Sequence, residues 1–265
     1  MKKSQVLYLL MFFSLLYITG CNEKEDVIEK EDIFEGNEGT FTDSRDGQVY
    51  KWVRIGEQIW MAENLKYLPD VVGPDSSSSS LPFYYVYGYD GTDVAAAKAT
   101  ANYQAYGVLY NWAAAMAGSA SSDDNPSGVQ GVCPIGWHLP SHEEWKQLEM
   151  YLGMSQAAAD SSGNRGTNEG SKLAGNAELW ANGELENDVA FGISGFNALP
   201  GGYLQINPRS FIDLGCNASF WSATDKFDHI AWDRRLRYDN SKVYVVDLFR
   251  TYFKDEGFSV RCIKD

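Results

Sequence analysis

Four cysteines and three histidines are the residues of this chain best suited to nucleophilic, redox or metal chemistry. His138 and His142 stand four apart with Glu143 beside the second, a spacing that would put two zinc ligands on one helix face. Pro140 and Ser141 lie between them, so the helix begins only after His138 and the pair does not share a face. His138 reads as a satisfied structural histidine and His142 as an exposed first-turn residue. His229 is a lone ring in a polar loop, from which no Ser-His-Asp order can be built. Asp43 with Asp46, Asp90 with Asp93, and Asp123-Asp124-Asn125-Pro126 could offer oxygens to calcium. A hard cation needs six or more converging ligands, and Asp and Asn in such strings commonly form turns. No cofactor is therefore expected, with structural calcium as the one alternative, and the chain reads as a non-enzyme.

Charged residues on a strand offer recognition rather than reaction. In residues 231–240 a strand places Trp232, Arg234, Leu236 and Tyr238 on one face and Asp233, Arg235, Arg237 and Asp239 on the other. The second set is expected to face outward, either as a ligand-contacting surface or as a plain solvated strand face.

The N-terminus supplies an address. Lys2 and Lys3 precede an apolar run over residues 6–18, broken only by Ser14, and Ile18-Thr19-Gly20-Cys21 follows. The run is too short to span hydrocarbon and reads as a signal peptide over residues 1–20. The Cys after two small residues resembles a lipobox, which makes Cys21 the lipidation site and the membrane a partner through that anchor. The alternative is an ordinary secretory signal with an incidental Cys21. Between Asn22 and Thr40 stand eight acidic residues and two lysines, so residues 21–40 are expected to be a disordered acidic tether. An acidic stretch behind the lipidated Cys also resembles the surface-export signal of Bacteroidetes lipoproteins. Outer-membrane anchoring with display on the cell surface is the expected localisation, against a spacer on the periplasmic side. The whole chain carries −14, and loss of Lys2 and Lys3 makes it more negative, which argues against nucleic acid as a partner.

Residues 41–265 have the length of one large domain, with no repeat and no linker beyond the serine run of residues 76–80. Alternation in residues 49–55 and 58–60, divided by Gly56-Glu57, predicts two strands joined by a turn. Residues 106–116 space Val108, Trp112 and Ala115 as a helix does. Ser141 with Glu144 forms a capping box for a second helix that aligns Trp145, Leu148 and Leu152. Residues 153–183 are rich in Gly, Asn and Ser and are expected to be irregular except near residues 171–174. Strand-like pieces follow at 220–222, 231–238, 243–249 and 258–263. The pattern predicts an α+β domain.

Four strings carry a family resemblance: Tyr106-Gly107-Val108-Leu109-Tyr110-Asn111-Trp112, Cys133-Pro134-Ile135-Gly136-Trp137-His138-Leu139-Pro140 with Glu144-Trp145, Phe220-Trp221-Ser222-Ala223-Thr224, and Gly257-Phe258-Ser259-Val260-Arg261-Cys262. In this order they resemble the motifs of the Fibrobacter succinogenes major paralogous domain family. That family resembles the C-type-lectin-like fold, so the resemblance implies two helices, long loops and a small twisted antiparallel sheet. Apart from Cys21 three cysteines remain, enough for one bridge and one leftover thiol in an oxidising compartment. The fold joins its helical region to its last strand by a disulfide, which implies Cys133 with Cys262 and leaves Cys216 as a buried, inert thiol. Formylglycine-generating enzymes of the same fold use cysteines for copper and redox chemistry, but no second Cys stands close to Cys216. The calcium strings of sugar-binding members, Glu-Pro-Asn or Gln-Pro-Asp and Trp-Asn-Asp, are absent too. Variable members present ligand contacts in the region of Asp233, Arg235, Arg237 and Asp239, with Phe249 and Tyr252 nearby. The resemblance thus implies a non-catalytic surface protein binding a glycan or protein ligand. The alternative is a structural envelope lipoprotein without a small-molecule site.

Overall fold

Antiparallel pairing builds the first three strands. In the computed structural model, which describes residues 34–246 and 253–265, Glu38–Thr42 (β1) pairs antiparallel with Val49–Ile55 (β2). Through Gly56, at φ +61°, β2 then turns into Gln58–Met61 (β3). β1 begins ahead of the expected boundary at Phe41, and Phe34 already packs against the rings of Phe41, Trp52 and Trp137. One aromatic side chain and five residues of strand pairing thus order residues that charge alone would assign to a tether. Cys21 and residues 1–20, expected to form a signal peptide, lie outside the described residues.

The helix expected over residues 106–116 is two structures. Tyr84–Tyr85 (β4), Val94–Lys98 (α1) and Ala101–Tyr106 (α2) come first. Gly107 ends α2 at φ +77°, and Leu109–Tyr110 (β5) pairs with β4 before Trp112–Met116 (α3) begins. Asn111 makes the break: its extended backbone precedes α3, and its Oδ1 accepts from Ala114 N and Phe83 N. Its Nδ2 donates to Ser78 O and Leu81 O, which pins the serine-rich loop.

Trp137–His138 (β6) leads into His142–Tyr151 (α4), where both bonds of the Ser141/Glu144 capping box are present. The stretch expected to be irregular contains Gln156–Ala159 (α5), Gly163–Arg165 (β7) and Glu169–Leu173 (α6), with Glu184–Asn187 (α7) just beyond. Its few apolar residues are well placed: Ala159, Leu173, Ala174 and Trp180 are buried with Trp60, Trp145 and Phe220. Gly170 lets α6 approach β12, since a Cβ there would sit 2.3 Å from Lys242 O. Seven α-helices therefore stand among the described residues where two were expected, and α4 is the longest at ten residues.

Gly201–Ile206 (β8), Arg209–Leu214 (β9), Asn217–Phe227 (β10), Ile230–Arg237 (β11), Asn240–Val245 (β12) and Ile263–Lys264 (β13) complete the strands. One sheet runs β1-β2-β3-β13-β6, a second β7-β12-β11-β10-β8-β9, and a third is the β4-β5 pair. The pairing is antiparallel apart from the parallel contact of β10 with β8, so the fold is α+β and mostly sheet. Of residues 258–263, expected as one strand, only Ile263 lies in a paired strand, β13, while Phe258 and Ser259 form single bridges to Tyr110 and Phe220. The Cys133 and Cys262 sulfurs are bonded, with Cα atoms 6.0 Å apart. No helix among the described residues is long and apolar enough to cross a membrane.

Candidate functional site

Strand register gathers the polar residues of the second sheet. Asn217 lies opposite Arg237, and Ser219 lies opposite Arg235, which in turn faces Tyr244 on β12. Directly opposed residues point to the same side, so these five share one face of three adjacent strands. The β8–β9 hairpin brings Tyr203 and Asp213 in front of that face, and the turn into β10 adds Cys216. The result is a cavity of about 290 Å³, lined also by Arg235, Arg237, Tyr238 and Tyr244. Gly202, at φ +63°, keeps the hairpin close; a Cβ there would meet Ile212 O at 2.4 Å.

Asp233 and Arg235 are not the exposed contacts that strand alternation suggests, since both are fully buried. β11 is an interior strand with both faces covered, and alternation separates the two faces without deciding which is wet. Arg235 Nε donates to Asp233 Oδ2 at 2.7 Å, and its guanidinium lies 4.6 Å from the ring centres of both Tyr203 and Phe258. Asp233 Oδ1 accepts from Val246 N. Glu256 Oε2 lies 3.9 Å from Arg235 Nη2. Burial pushes the Glu256 carboxyl up to about 8; Arg235 opposes the shift, while Asp233 and Asp255 add to it.

Arg237 and Asp239 remain accessible at the rim, paired to each other at 2.9 Å. Asn217 donates to the Asp213 carboxylate beside them. Phe249 and Tyr252 lie outside the described residues. Cys216 is half-exposed rather than buried, because it leaves a tight surface turn in which Asp213 and Gly215 take positive φ. Burial and the neighbouring Asp213 and Asp239 raise its pKa, so the thiol stays protonated.

On the opposite face of β11, Arg234 Nε and Arg165 Nη2 each reach Glu149 at 2.6 Å, and all three side chains are buried. His142, expected to be exposed, is buried there as well: its ring stacks 4.1 Å from that of Trp232, and its Nδ1 lies 3.1 Å from Arg234 Nη1. Burial and then the charge of Arg234 pull its pKa far down, which leaves a neutral ring accepting from the guanidinium. His138 contacts Glu144 through Nε2 at 2.7 Å and Asp265 through Nδ1 at 2.8 Å. Of the residues considered for calcium, Asp43 holds Arg45, Asp46 accepts from Gln48 N, Asp93 caps α1 and Asp123 accepts from Thr224.

Residues 53–264 match the family model of the Fibrobacter succinogenes major domain. The chain belongs to this family. No curated protein and no solved structure matches it. In this Fibrobacter succinogenes major domain the four sequence strings are structural. Trp137, Trp145, Trp221, Phe258 and Arg261 are all buried, and Arg261 donates to Asn64 Oδ1 and to the carbonyls of Met61, Phe196 and Asn197. The cavity residues Tyr203, Asp213, Asn217, Arg237 and Tyr244 all fall outside those strings. Reasoning from residue type did not find Tyr203, Asp213, Asn217, Tyr244 or Glu256, because only the pairing of β8 through β12 places them beside Arg235 and Arg237.

Proposed function

We propose that this protein is a non-catalytic, lipid-anchored surface protein that binds a glycan or protein ligand in the cavity of its C-terminal sheet. The observation that carries this reading is the convergence of Arg237, Asp213 and Asn217 with three tyrosines around one concave space on a rigid sheet. A protonated Cys216 thiol offers no nucleophile there, in keeping with recognition rather than turnover. The signal-like run ending at Cys21 and the acidic residues behind it support attachment to the outer membrane with outward display. The bond between Cys133, ahead of α4, and Cys262, beside β13, supports a C-type-lectin-like fold, in which a disulfide ties the helical region to the last strand.

A glycan-array and host-protein screen of the full chain, with and without calcium, tests the binding reading. Saturable binding that weakens in Arg237→Ala supports it. Binding indifferent to Arg237 moves the site elsewhere, and silence from folded protein leaves the structural-lipoprotein alternative ahead. Metabolic labelling with a radioactive fatty acid, lost in Cys21→Ala, tests the anchor.

A further inference from the structure

Charge pairing around the cavity narrows the chemistry it can accept. Arg235 is paired with Asp233, Arg237 with Asp239, and the Asn217 amide with the Asp213 carboxylate. Glu256, with its carboxyl pushed up to about 8, adds little negative charge near neutral pH. An anionic ligand would face Asp213 within a chain that carries −14 overall. A cationic one would face Arg235 and Arg237. Neither sign is favoured throughout, because the lining sets the Asp213 carboxylate beside guanidiniums that Asp233 and Asp239 already hold. A neutral polyhydroxylated ligand suits this arrangement. Each of its hydroxyls donates and accepts, and alternating N–H donors and carboxylate acceptors can satisfy both roles without a net charge on the ligand.

We propose that the cavity binds a single neutral sugar residue, such as the terminal hexose or N-acetylhexosamine of a glycan, a proposal that rests on the binding reading above. The Asp213 carboxylate accepts from ring hydroxyls, Asn217 and Arg237 donate to them, and the ring of half-buried Tyr238 offers an aromatic surface to the C–H groups of the sugar. Size agrees: about 290 Å³ is at the lower limit for small-molecule sites, enough for one pyranose and too small for a folded peptide loop.

Isothermal titration of the full chain tests the class directly. The probes are glucose, galactose, mannose, N-acetylglucosamine and their short neutral oligomers, with glucuronate, galacturonate and glucosamine as charged comparators. Binding of at least one neutral probe is expected, weakened tenfold or more by Asp213→Asn and by Arg237→Gln and unchanged by the remote Lys51→Ala. Asp213→Asn should keep the fold, because Asn tolerates the φ of +62° found at this position. A tenfold preference for a uronate or an amino sugar overturns the neutral class. Binding unmoved by both cavity variants overturns the site. If no sugar binds while a protein ligand found in the wider screen requires Arg237, the sugar proposal fails and the binding reading stands; if nothing binds in either experiment, both fail.

Discussion

Arg235 serves two buried carboxylates at once, with Nε 2.7 Å from Asp233 Oδ2 and Nη2 3.9 Å from Glu256 Oε2. The farther of the two holds a proton, since burial raises the Glu256 carboxyl to about 8 against an ordinary 4.5. A carboxyl that binds its proton more tightly when folded stabilises the fold below its unfolded pKa, and this contribution is lost as pH rises through the folded value. Melting temperature should therefore fall between about pH 5 and pH 9 in the wild type. In Glu256→Gln, which stays neutral throughout, the profile should be flatter, with a gain on the order of 5 °C at pH 9. Parallel profiles for the two proteins would show that Glu256 does not titrate this way.

The two helix-proximal histidines should depart from an ordinary imidazole in opposite directions. Burial pulls His138 down, but hydrogen bonds and charge from Glu144 and then Asp265 overcome it and raise the net value. His142 is lowered by burial and Arg234. The stability His138 contributes is present below the ordinary pKa and is lost as pH rises through its folded value. The reverse holds for His142, whose stabilisation is present above the ordinary value and lost on acidification, when the unfolded ring takes up a proton. Ring-proton NMR should show one histidine titrating above 6.5 and moving down in Asp265→Asn, and another unprotonated until the protein unfolds in acid. Two ordinary titrations would refute both contacts.

Among the described residues, Glu149 is the only carboxylate in an ion pair with Arg165 and Arg234, both fully buried. Glu149→Ala leaves two guanidiniums in the interior, and removal of one partner from a buried ion pair costs about 3 to 5 kcal/mol. Urea unfolding should show at least that loss, with binding at the cavity reduced only in proportion to the unfolded fraction. A loss under 1 kcal/mol would mean that solvent reaches the arginines.

What could be read in the sequence was local. The hairpin around Gly56 and the capping box at Ser141 appear where residue spacing places them, because a turn and a cap are decided within a few residues. The break at Asn111 was not legible, since Asn111 is fixed by carbonyls of the serine loop 30 and 33 residues away in sequence. On β11 the alternation of side chains holds, but the outward reading of one face holds only for Arg237 and Asp239: Arg235 lies under Tyr203 and Phe258, and on the other face Arg234 lies against α4. Burial on both faces depends on the neighbours of the strand, and those neighbours include a residue 92 positions distant.

Covalent closure should matter about as much as the buried ion pairs of Glu149. The bond between Cys133 and Cys262 spans 129 residues and lies in the aromatic core with Trp137, Trp221 and Phe258. In the chain-entropy model a loop of that size contributes about 3 to 5 kcal/mol. Replacing both cysteines by alanine should therefore lower the unfolding free energy by about that amount. Cys216→Ala, at a half-exposed turn with a protonated thiol, should change it by less than about 1 kcal/mol. Because burial and nearby carboxylates suppress the thiolate, Cys216 should also react slowly with iodoacetamide at pH 7 and speed up with rising pH beyond an ordinary cysteine. If loss of Cys216 proved as costly as loss of the Cys133–Cys262 pair, the rim of the cavity would be a stability element rather than a recognition surface.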